Sequence, residues 1–214
     1  MYVGRIVAVA RAKSGQVAAL YRVSSRSFPN REAKQLGSKV AILPRPGHEQ
    51  DIFKNPYIAY NCLALVGAHA VVTNGSHTDI VAEKLAAGYG PRDALVSVLH
   101  AMDYEHDSLN TPRIAAIVNP NQAQGWLGIV TEQSLHVAQF ALAPGEAFYV
   151  TTYERTLPCA QQRDGAFDAG SAAEACQYAL GRGVFAEFER PITAACAYAN
   201  PDGSYQVALA DAPR

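Results

Sequence analysis

Residues 2–23 read YVGRIVAVARAKSGQVAALYRV, two largely apolar runs separated by a polar turn sequence. Such short apolar runs, bounded by turn residues, are typical of β-strands that bury a face in a protein core. Lys13-Ser14-Gly15 is the turn signal, so the stretch predicts strands at Tyr2–Ala10 and Gln16–Val23 joined in a hairpin. A hairpin builds an antiparallel sheet, and the rest of the chain repeats this pattern.

The later strands also come mostly as neighbouring pairs. They are predicted at 39–43, 57–66, 70–73, 113–118, 126–131, 135–140, 147–152, 192–199 and 205–210. Asn200-Pro201-Asp202-Gly203 is a strong turn signal between the last two strands. Successive hairpins again favour antiparallel sheets.

Three helices interrupt the strands in two blocks. Ser76 and Asp79 have the spacing of a capping box and predict the start of one helix, and Pro91 suits the first position of the next. Ser171 and Glu174 form a second capping box before an alanine-rich helix. Helices grouped in blocks act as covering layers outside sheets, so we expect an α+β layered sandwich, with residues 1–214 forming one domain.

Composition narrows the function classes. Apolar residues make up 49% and charged residues 17% of the chain, which is an ordinary globular composition. The net charge of -1 argues against a nucleic-acid partner, because such proteins usually carry a basic excess. No apolar run approaches the ~20 residues of a membrane span, and no signal-peptide pattern is present, so we expect no membrane partner and a cytoplasmic location.

The four cysteines are Cys62, Cys159, Cys176 and Cys196. None of them forms a CxxC pair, and each lies among apolar or small residues. This pattern predicts reduced, buried thiols in a cytosolic protein, and it gives no reason to expect a zinc site.

Residues 22–31 form the first segment whose polarity exceeds what folding requires. It holds three arginines (Arg22, Arg26, Arg31), three serines (Ser24, Ser25, Ser27) and Asn30. Arginine forks and serine hydroxyls suit a phosphate or a carboxamide oxygen. The alternative is a solvated loop.

A second candidate segment is residues 55–62. Strand alternation would place Tyr57 and Asn61 on one face and Tyr60 and Cys62 on the other. An aromatic ring and an amide on one face can bind a flat heterocycle. Nearby, Asn74-Gly75-Ser76-His77 leads into a helix N-terminus, which favours an anion, although Ser76 could simply cap that helix.

The third segment lies at the end of the helix that begins at Pro91. It carries Asp103, Tyr104, Glu105, His106 and Asp107, and Asn110-Thr111-Pro112-Arg113 follow. Carboxylates are unfavourable at a helix C-terminus, so one that is kept there has a ligand or an arginine partner. Salt bridges to Arg113 or plain solvation are the simpler explanations.

Together these segments resemble the archaeal-type IMP cyclohydrolases. The resemblance rests on Tyr2–Arg5, Tyr21–Arg31, Asn55–Cys62, Asn74–Asp79, Met102–Glu105, Asn110–Ala116, Thr152–Glu154 and Pro191–Ala195, in this order. It implies a four-layer αββα fold of the N-terminal-nucleophile hydrolase type, used without a processed nucleophile; position 2 is accordingly Tyr. It also implies a ligand pocket between the sheets, and no metal or organic cofactor.

The implied reaction closes a formamido-imidazole-carboxamide ribotide to IMP with loss of water. Candidate catalytic residues are Arg31 or Arg26 to polarise an oxygen, Tyr57 or Tyr60 to orient the formamide, and Glu105 to accept the amide proton. Candidate substrate-binding residues are Arg22, Ser24, Ser25, Ser27, Asn30, Asn61, Asn74, Ser76, His77, Asp103, Tyr104, Asn110, Thr111 and Arg113.

Two other functions stay open at this point. One is an amide hydrolase of the same fold with Cys62 or Ser76 as its nucleophile, and the other is a non-catalytic purine nucleotide-binding protein. The expected partner in the favoured case is a small purine ribonucleotide. Self-association through the exposed side of the alanine-rich helix at residues 172–180 is a further expectation.

Overall fold

The computed structural model describes residues 1–213, which form thirteen strands, four α-helices and two short 3₁₀ turns. The strands are β1 (Ile6–Arg11), β2 (Val17–Ser24), β3 (Arg31–Leu36), β4 (Lys39–Pro44), β5 (Tyr60–Val66), β6 (His69–Thr73), β7 (Arg113–Asn119), β8 (Gln124–Val130), β9 (Leu135–Ala141), β10 (Glu146–Thr151), β11 (Arg163–Asp164), β12 (Pro191–Ala199) and β13 (Tyr205–Asp211). The helices are α1 (Asp51–Lys54), α2 (His77–Ala86), α3 (Pro91–Met102) and α4 (Ala172–Gly181), and the 3₁₀ turns are Pro56–Ile58 and Gly183–Glu187.

All strand pairs are antiparallel, and they form two sheets. The first sheet has the order β11-β10-β1-β2-β12-β13 and the second has the order β3-β4-β5-β6-β7-β8-β9. The opening hairpin lies in the middle of the first sheet, and Gly15, with φ of 101°, makes its turn. The predicted α+β class with mostly antiparallel sheets is therefore confirmed.

Apolar side chains are buried in three layers. Between the sheets, Val7, Val9 and Tyr21 of the first sheet face residues such as Ile114 and Leu127 of the second. Strand alternation sends the intervening residues of β1 and β2 outward, where they pack against α4. The outer face of the second sheet is covered by α2 and α3. The helices therefore lie outside the two facing sheets, as the grouping of helices in the sequence predicts.

Several predicted boundaries are wrong for local reasons. The first strand begins at Ile6, because Gly4 has a φ of 72° that breaks the extended backbone. The predicted strand at 57–66 begins at Tyr60, since Asn55 caps a 3₁₀ turn that opens with Pro56. The strands β3 and β11 and the short helix α1 lie in stretches where the sequence pattern predicts nothing.

The two capping boxes have opposite outcomes. Ser171 Oγ accepts a hydrogen bond from the Glu174 backbone N–H, so this cap is confirmed. The predicted start of α2 is confirmed, since the helix begins at His77, but Ser76 is exposed, has helical backbone angles and makes no capping bond, so the cap itself is wrong. The exposed face of α4 carries Glu174 and Gln177 and no large apolar residue, which gives the expected self-association surface no support.

Three of the four cysteines are buried free thiols, as predicted, and Cys159 is only half-buried. None of the helices among residues 1–213 is both long and apolar enough to cross a membrane.

Candidate active site

A small cavity opens at one end of the sandwich, where the loop after β2, the loop after α3 and the segment before β1 meet. Six of its lining residues are predicted site residues, namely Ser25, Ser27, Arg31, Tyr57, Glu105 and Thr111. The cavity encloses about 60 Å³ and shares Leu109 and Tyr153 with an open groove of about 560 Å³. Pockets for small molecules usually measure about 300–1,000 Å³, so the small cavity alone is below this range and the groove is within it.

Glu105 lines the cavity and is fully buried. Its Oε2 lies 3.1 Å from Arg5 Nη2, and its Oε1 lies 3.6 Å from Arg113 Nη1. Burial raises the pKa of the Glu105 carboxyl to about 7, and the two arginines offset part of this effect. A carboxyl with a pKa near neutrality can accept and return a proton at physiological pH.

The loop that carries Glu105 leaves α3 sharply. Asp103, the residue that caps α3, has a φ of 53°, and the Glu105 backbone N–H then bonds to the Thr111 carbonyl at 2.8 Å. This turn brings the carboxylate back over the sheet and into contact with arginines. Glu105 therefore has the expected arginine partners, and one of them is Arg113, which the simpler salt-bridge explanation also predicts.

Arg113 is held in place by the chain that leads into α2. The Asn74 side chain accepts from the Ile114 N–H and donates to the Pro112 carbonyl, and so brackets Arg113. His77 Nε2 lies 3.0 Å from the Ile114 carbonyl, and burial lowers the pKa of His77 to about 3. His77 is therefore a neutral donor to this carbonyl.

Gly75 gives the Arg113 guanidinium its room. A Cβ at this position would stand 2.8 Å from Arg113 Nη1, closer than Cβ contacts allow, and at a tight 3.2 Å from Glu105 Oε1. The predicted residues Asn74 and His77 thus support the Arg113–Glu105 contact from behind and do not line the cavity. Ser76, in contrast, is exposed and lines neither the cavity nor the groove.

Arg31 enters the cavity from the start of β3. Its Nε donates to the Phe28 carbonyl at 3.1 Å, and the Phe28 N–H bonds to Ser25 Oγ at 3.0 Å. The guanidinium is buried, which lowers its pKa. The serine-rich loop therefore folds around Arg31, and the solvated-loop alternative fails for Ser25 and Arg31.

Arg22 and Ser24 point the other way, and their predicted role in ligand binding is corrected by the structure. Strand alternation turns both residues toward the helical layer outside the first sheet. The Arg22 guanidinium donates to the carbonyls of Ala179, Leu180, Phe185, Phe188 and Glu189, and its Nε donates to Ser24 Oγ. Burial lowers the pKa of Arg22 to about 10. Its donors are occupied in joining α4 and the second 3₁₀ turn to β2.

Other predicted residues lie outside the cavity because each has another partner. Arg26 is exposed, pairs with Glu189 at 3.4 Å and lies over the Tyr2 ring. Asn30 contacts His48, and Asn61 faces α2, where it donates to Asp79. Tyr60 is buried between the sheets, with its hydroxyl 2.6 Å from that of Tyr21.

The remaining predicted residues belong to the loop between α3 and β7. Asp103 and Tyr104 contact His106 and do not line the cavity. Asn110 lines the neighbouring groove and has a φ of 47°. Its side-chain amide donates a hydrogen bond to the Glu132 carboxylate. Among residues 1–213, no three His, Cys, Asp or Glu side chains gather closely enough to hold a metal ion.

A family model described as "IMP cyclohydrolase-like protein" matches residues 2–203, which is nearly the whole chain. The chain belongs to this family. The resemblance inferred from the sequence is therefore confirmed.

Relatives of this IMP cyclohydrolase-like chain carry the name IMP cyclohydrolase, and three of them are described next. The relative from Methanosphaera stadtmanae is 47% identical, with 94% of this chain and 96% of the relative covered. The relative from Methanocella arvoryzae is 46% identical over 100% of both chains. The relative from Methanocaldococcus jannaschii is 43% identical, with 95% of this chain and 96% of the relative covered.

Eight further lining residues of the cavity are absent from the set predicted from the sequence. They are Tyr2, Arg5, Phe28, Asn55, Ile58, Asp107, Leu109 and Tyr153. Arg5 and Tyr153 come together because the chain before β1 runs beside the chain after β10. The Tyr153 N–H donates a hydrogen bond to the Val3 carbonyl there. The signal that could have found Arg5 is an arginine inside an otherwise apolar opening run. The sequence pattern places Asp107 in a cluster of three carboxylates but does not single it out as a site residue.

Proposed function

We propose that this chain is an IMP cyclohydrolase, which closes a formamido-imidazole-carboxamide ribotide to IMP with loss of water and hydrolyses IMP in reverse. The observation that carries the proposal is the identity of 46% over the full length of a relative with that name. The buried Glu105, held between two arginines in a cavity, supports the proposal, because ring closure needs a group that takes up a proton.

The chemistry has two demands. The carboxamide nitrogen is a weak nucleophile that must lose a proton as it attacks the formyl carbon, and the formyl oxygen must leave as water. The two groups already belong to one molecule, so the cavity helps by holding them coplanar and close to the geometry of attack. The cavity walls therefore contribute by orientation before any acid or base acts.

Glu105 acts as the general base in this proposal. It is the buried carboxyl whose pKa is raised to about 7, and its Oε1 has no hydrogen-bond partner among residues 1–213. Arg5 holds the other oxygen at 3.1 Å and so fixes the carboxylate plane. The proton taken from the carboxamide is passed to the formyl oxygen, which becomes a hydroxyl; the formamide N–H proton, lost as the new C=N bond forms, then completes the departing water.

Arg31 is proposed to stabilise the negative charge that develops on the formyl oxygen. It lines the cavity, and its Nε is occupied by the Phe28 carbonyl, which leaves the two Nη groups to face a ligand. A fixed donor of this kind contributes about 3 kcal/mol to the transition state. Tyr57 forms another part of the wall, and the hydroxyls of Ser25 and Ser27 are proposed contacts for the phosphate or ribose.

No observation supports either of the two alternative functions. Cys62 is fully buried between the sheets, where burial raises the pKa of its thiol well above the ordinary value. A thiol of this kind is a poor nucleophile. Ser76 is exposed and lines no part of the cavity, so neither residue supports an amide hydrolase.

We extend the proposal to the fold type, the domain and the location. Two facing antiparallel sheets covered by helices support an N-terminal-nucleophile hydrolase-like sandwich. The shared core between the sheets and the family match over residues 2–203 support a single domain. Free cysteines support a reducing, cytoplasmic location.

The test is an absorbance assay of the purified protein with the formamido-imidazole-carboxamide ribotide, with and without a chelator. Appearance of IMP at equal rates in both samples establishes a reaction that needs no added metal. Tight binding of IMP without turnover would replace the proposal with a nucleotide-binding role. Absence of both would reject it.

A further inference from the structure

We propose that Tyr153 contacts the substrate and that Thr111 and Asp107 hold its hydroxyl oxygen as a hydrogen-bond acceptor. The inference rests on the proposed cyclohydrolase function and adds one contact to that site. Tyr153 lines both the small cavity and the open groove, so any ligand that spans the two passes its side chain.

The direction of the hydrogen bonds follows from Asp107. Its Oδ1 accepts from the backbone N–H groups of Leu109 and Thr111 at 3.1 and 2.9 Å, and its Oδ2 lies 2.9 Å from Thr111 Oγ1. A carboxylate only accepts hydrogen bonds. The single hydroxyl proton of Thr111 is therefore donated to Asp107.

Thr111 Oγ1 also lies 3.0 Å from the Tyr153 hydroxyl oxygen. Because the proton of Thr111 is committed to Asp107, Tyr153 must donate its own proton to Thr111. Burial raises the pKa of Tyr153, so the phenol keeps this proton. What the Tyr153 oxygen then offers to a ligand is its lone pairs, which makes it an acceptor.

The ring of Tyr153 is held as firmly as its hydroxyl. It lies on the backbone of Gly4, where a Cβ would come within 2.8 and 2.9 Å of two ring carbons. The Tyr2 ring stacks against the Tyr153 ring, with the two ring centroids 6.1 Å apart. An acceptor fixed in this way orients a donor without losing side-chain freedom on binding.

The substrate offers a matching donor. Its carboxamide nitrogen carries two protons, of which one leaves to the base and one stays on the ring nitrogen of IMP. With Glu105 taking the first proton, an acceptor is needed for the second, so that the nitrogen stays aimed at the formyl carbon. The geometry assigns this task to Tyr153, which then contacts the same N–H in the product.

The first experiment compares wild type with Tyr153→Phe, which keeps the ring on Gly4 and removes the acceptor. We expect kcat/KM for ring closure to fall by about 10- to 100-fold. Tyr198→Phe is the matched control, because its hydroxyl bonds to the Ala169 carbonyl on the far side of the first sheet. It should keep wild-type kcat/KM.

A binding experiment tests the direction of the hydrogen bond. The probes are 5-aminoimidazole-4-carboxamide ribotide and its 4-carboxylate analogue, which has no donor at that position. The wild-type preference for the carboxamide should fall by about tenfold in Tyr153→Phe. It should also fall in Thr111→Val, because Tyr153 then turns its proton toward the ligand, and it should persist in Thr111→Ser.

Unchanged kcat/KM and an unchanged binding preference in Tyr153→Phe would overturn the proposal and leave Tyr153 a packing residue. A lower kcat/KM with the preference retained would also overturn the assigned acceptor role. Wild-type protein that binds both ribotides but makes no IMP would instead reject the cyclohydrolase function, and the binding preference would still be measurable.

Discussion

Replacement of Glu105 by Gln tests the centre of the proposed mechanism. The amide keeps the size of the carboxyl and loses its ability to take a proton. Because burial already raises the pKa of Glu105 to about 7, the neutral form is well populated at pH 7 and the fold should tolerate the amide. Loss of a general base lowers kcat by about 10²- to 10⁴-fold, or about 2.7–5.4 kcal/mol of barrier.

The proposed role of Glu105 also predicts the direction in which kcat/KM changes with pH. A base works in its ionised form, so wild-type kcat/KM should fall about tenfold per pH unit below a midpoint near 7 and level off above it. Glu105→Gln should lack this midpoint, because no proton is left to titrate. Rates of IMP formation between pH 5.5 and 8.5 are the measurement, at about half-unit steps.

The control is Glu83→Gln, which makes the same chemical change on an exposed position of α2. It should keep both the wild-type rate and the wild-type pH profile. The reasoning is refuted if Glu105→Gln remains folded and retains more than a tenth of the wild-type kcat. It is refuted equally if wild-type kcat/KM is flat across pH 6–8.

Three more predictions follow from single contacts. Arg31→Lys, which cannot reproduce the guanidinium fork, should lower kcat by about 10²-fold with IMP binding kept within a few-fold, as measured by calorimetry. Arg22→Met should lower the free energy of unfolding by about 3 kcal/mol or more, because five carbonyls lose their shared donor, while the folded fraction stays active in the IMP assay. Gly75→Ala should lower kcat by displacing Arg113, whose Nη1 would lie 2.8 Å from the new methyl group. Gly165→Ala, with open space around it, should leave kcat unchanged.

Much of the fold could be predicted because turn residues and apolar patterns act locally. The β1–β2 and β12–β13 hairpins follow from Gly15 and Gly203, which adopt φ values of 101° and 84°. The strand β3 could not be found in this way. Its residues, such as Lys34 and Gln35, are exposed, and the strand exists only because β4 pairs with it. Its partner β4 follows directly across the turn at Gly37-Ser38, and the polar residues of β3 themselves show no apolar period.

The candidate site could be predicted as a set of segments but not as a set of side chains. Arg22 and Arg31 have the same chemistry in one short stretch, yet one joins helices to the outer face of the first sheet and the other enters the cavity. Every residue of β2 is buried, so the burial pattern that normally separates a core face from a solvent face carries no information there. Only knowledge of which side holds α4 decides the direction of Arg22.

Arg5 shows why a complete site needs the folded chain. Its partner Glu105 lies 100 positions away in sequence, and the pair forms only because β1 and the loop after α3 meet at the same end of the sandwich. Glu105 lies just beyond the end of α3, where a negative charge is unfavourable, and burial adds a second cost. The two arginines reduce these costs without removing them, which leaves the carboxyl with a pKa near 7. A purely structural ion pair would be more stable with stronger contacts to both arginines. A general base, in contrast, must be able to take up and release a proton. The incomplete compensation at Glu105 therefore favours the proposed acid–base role over that of a buried salt bridge.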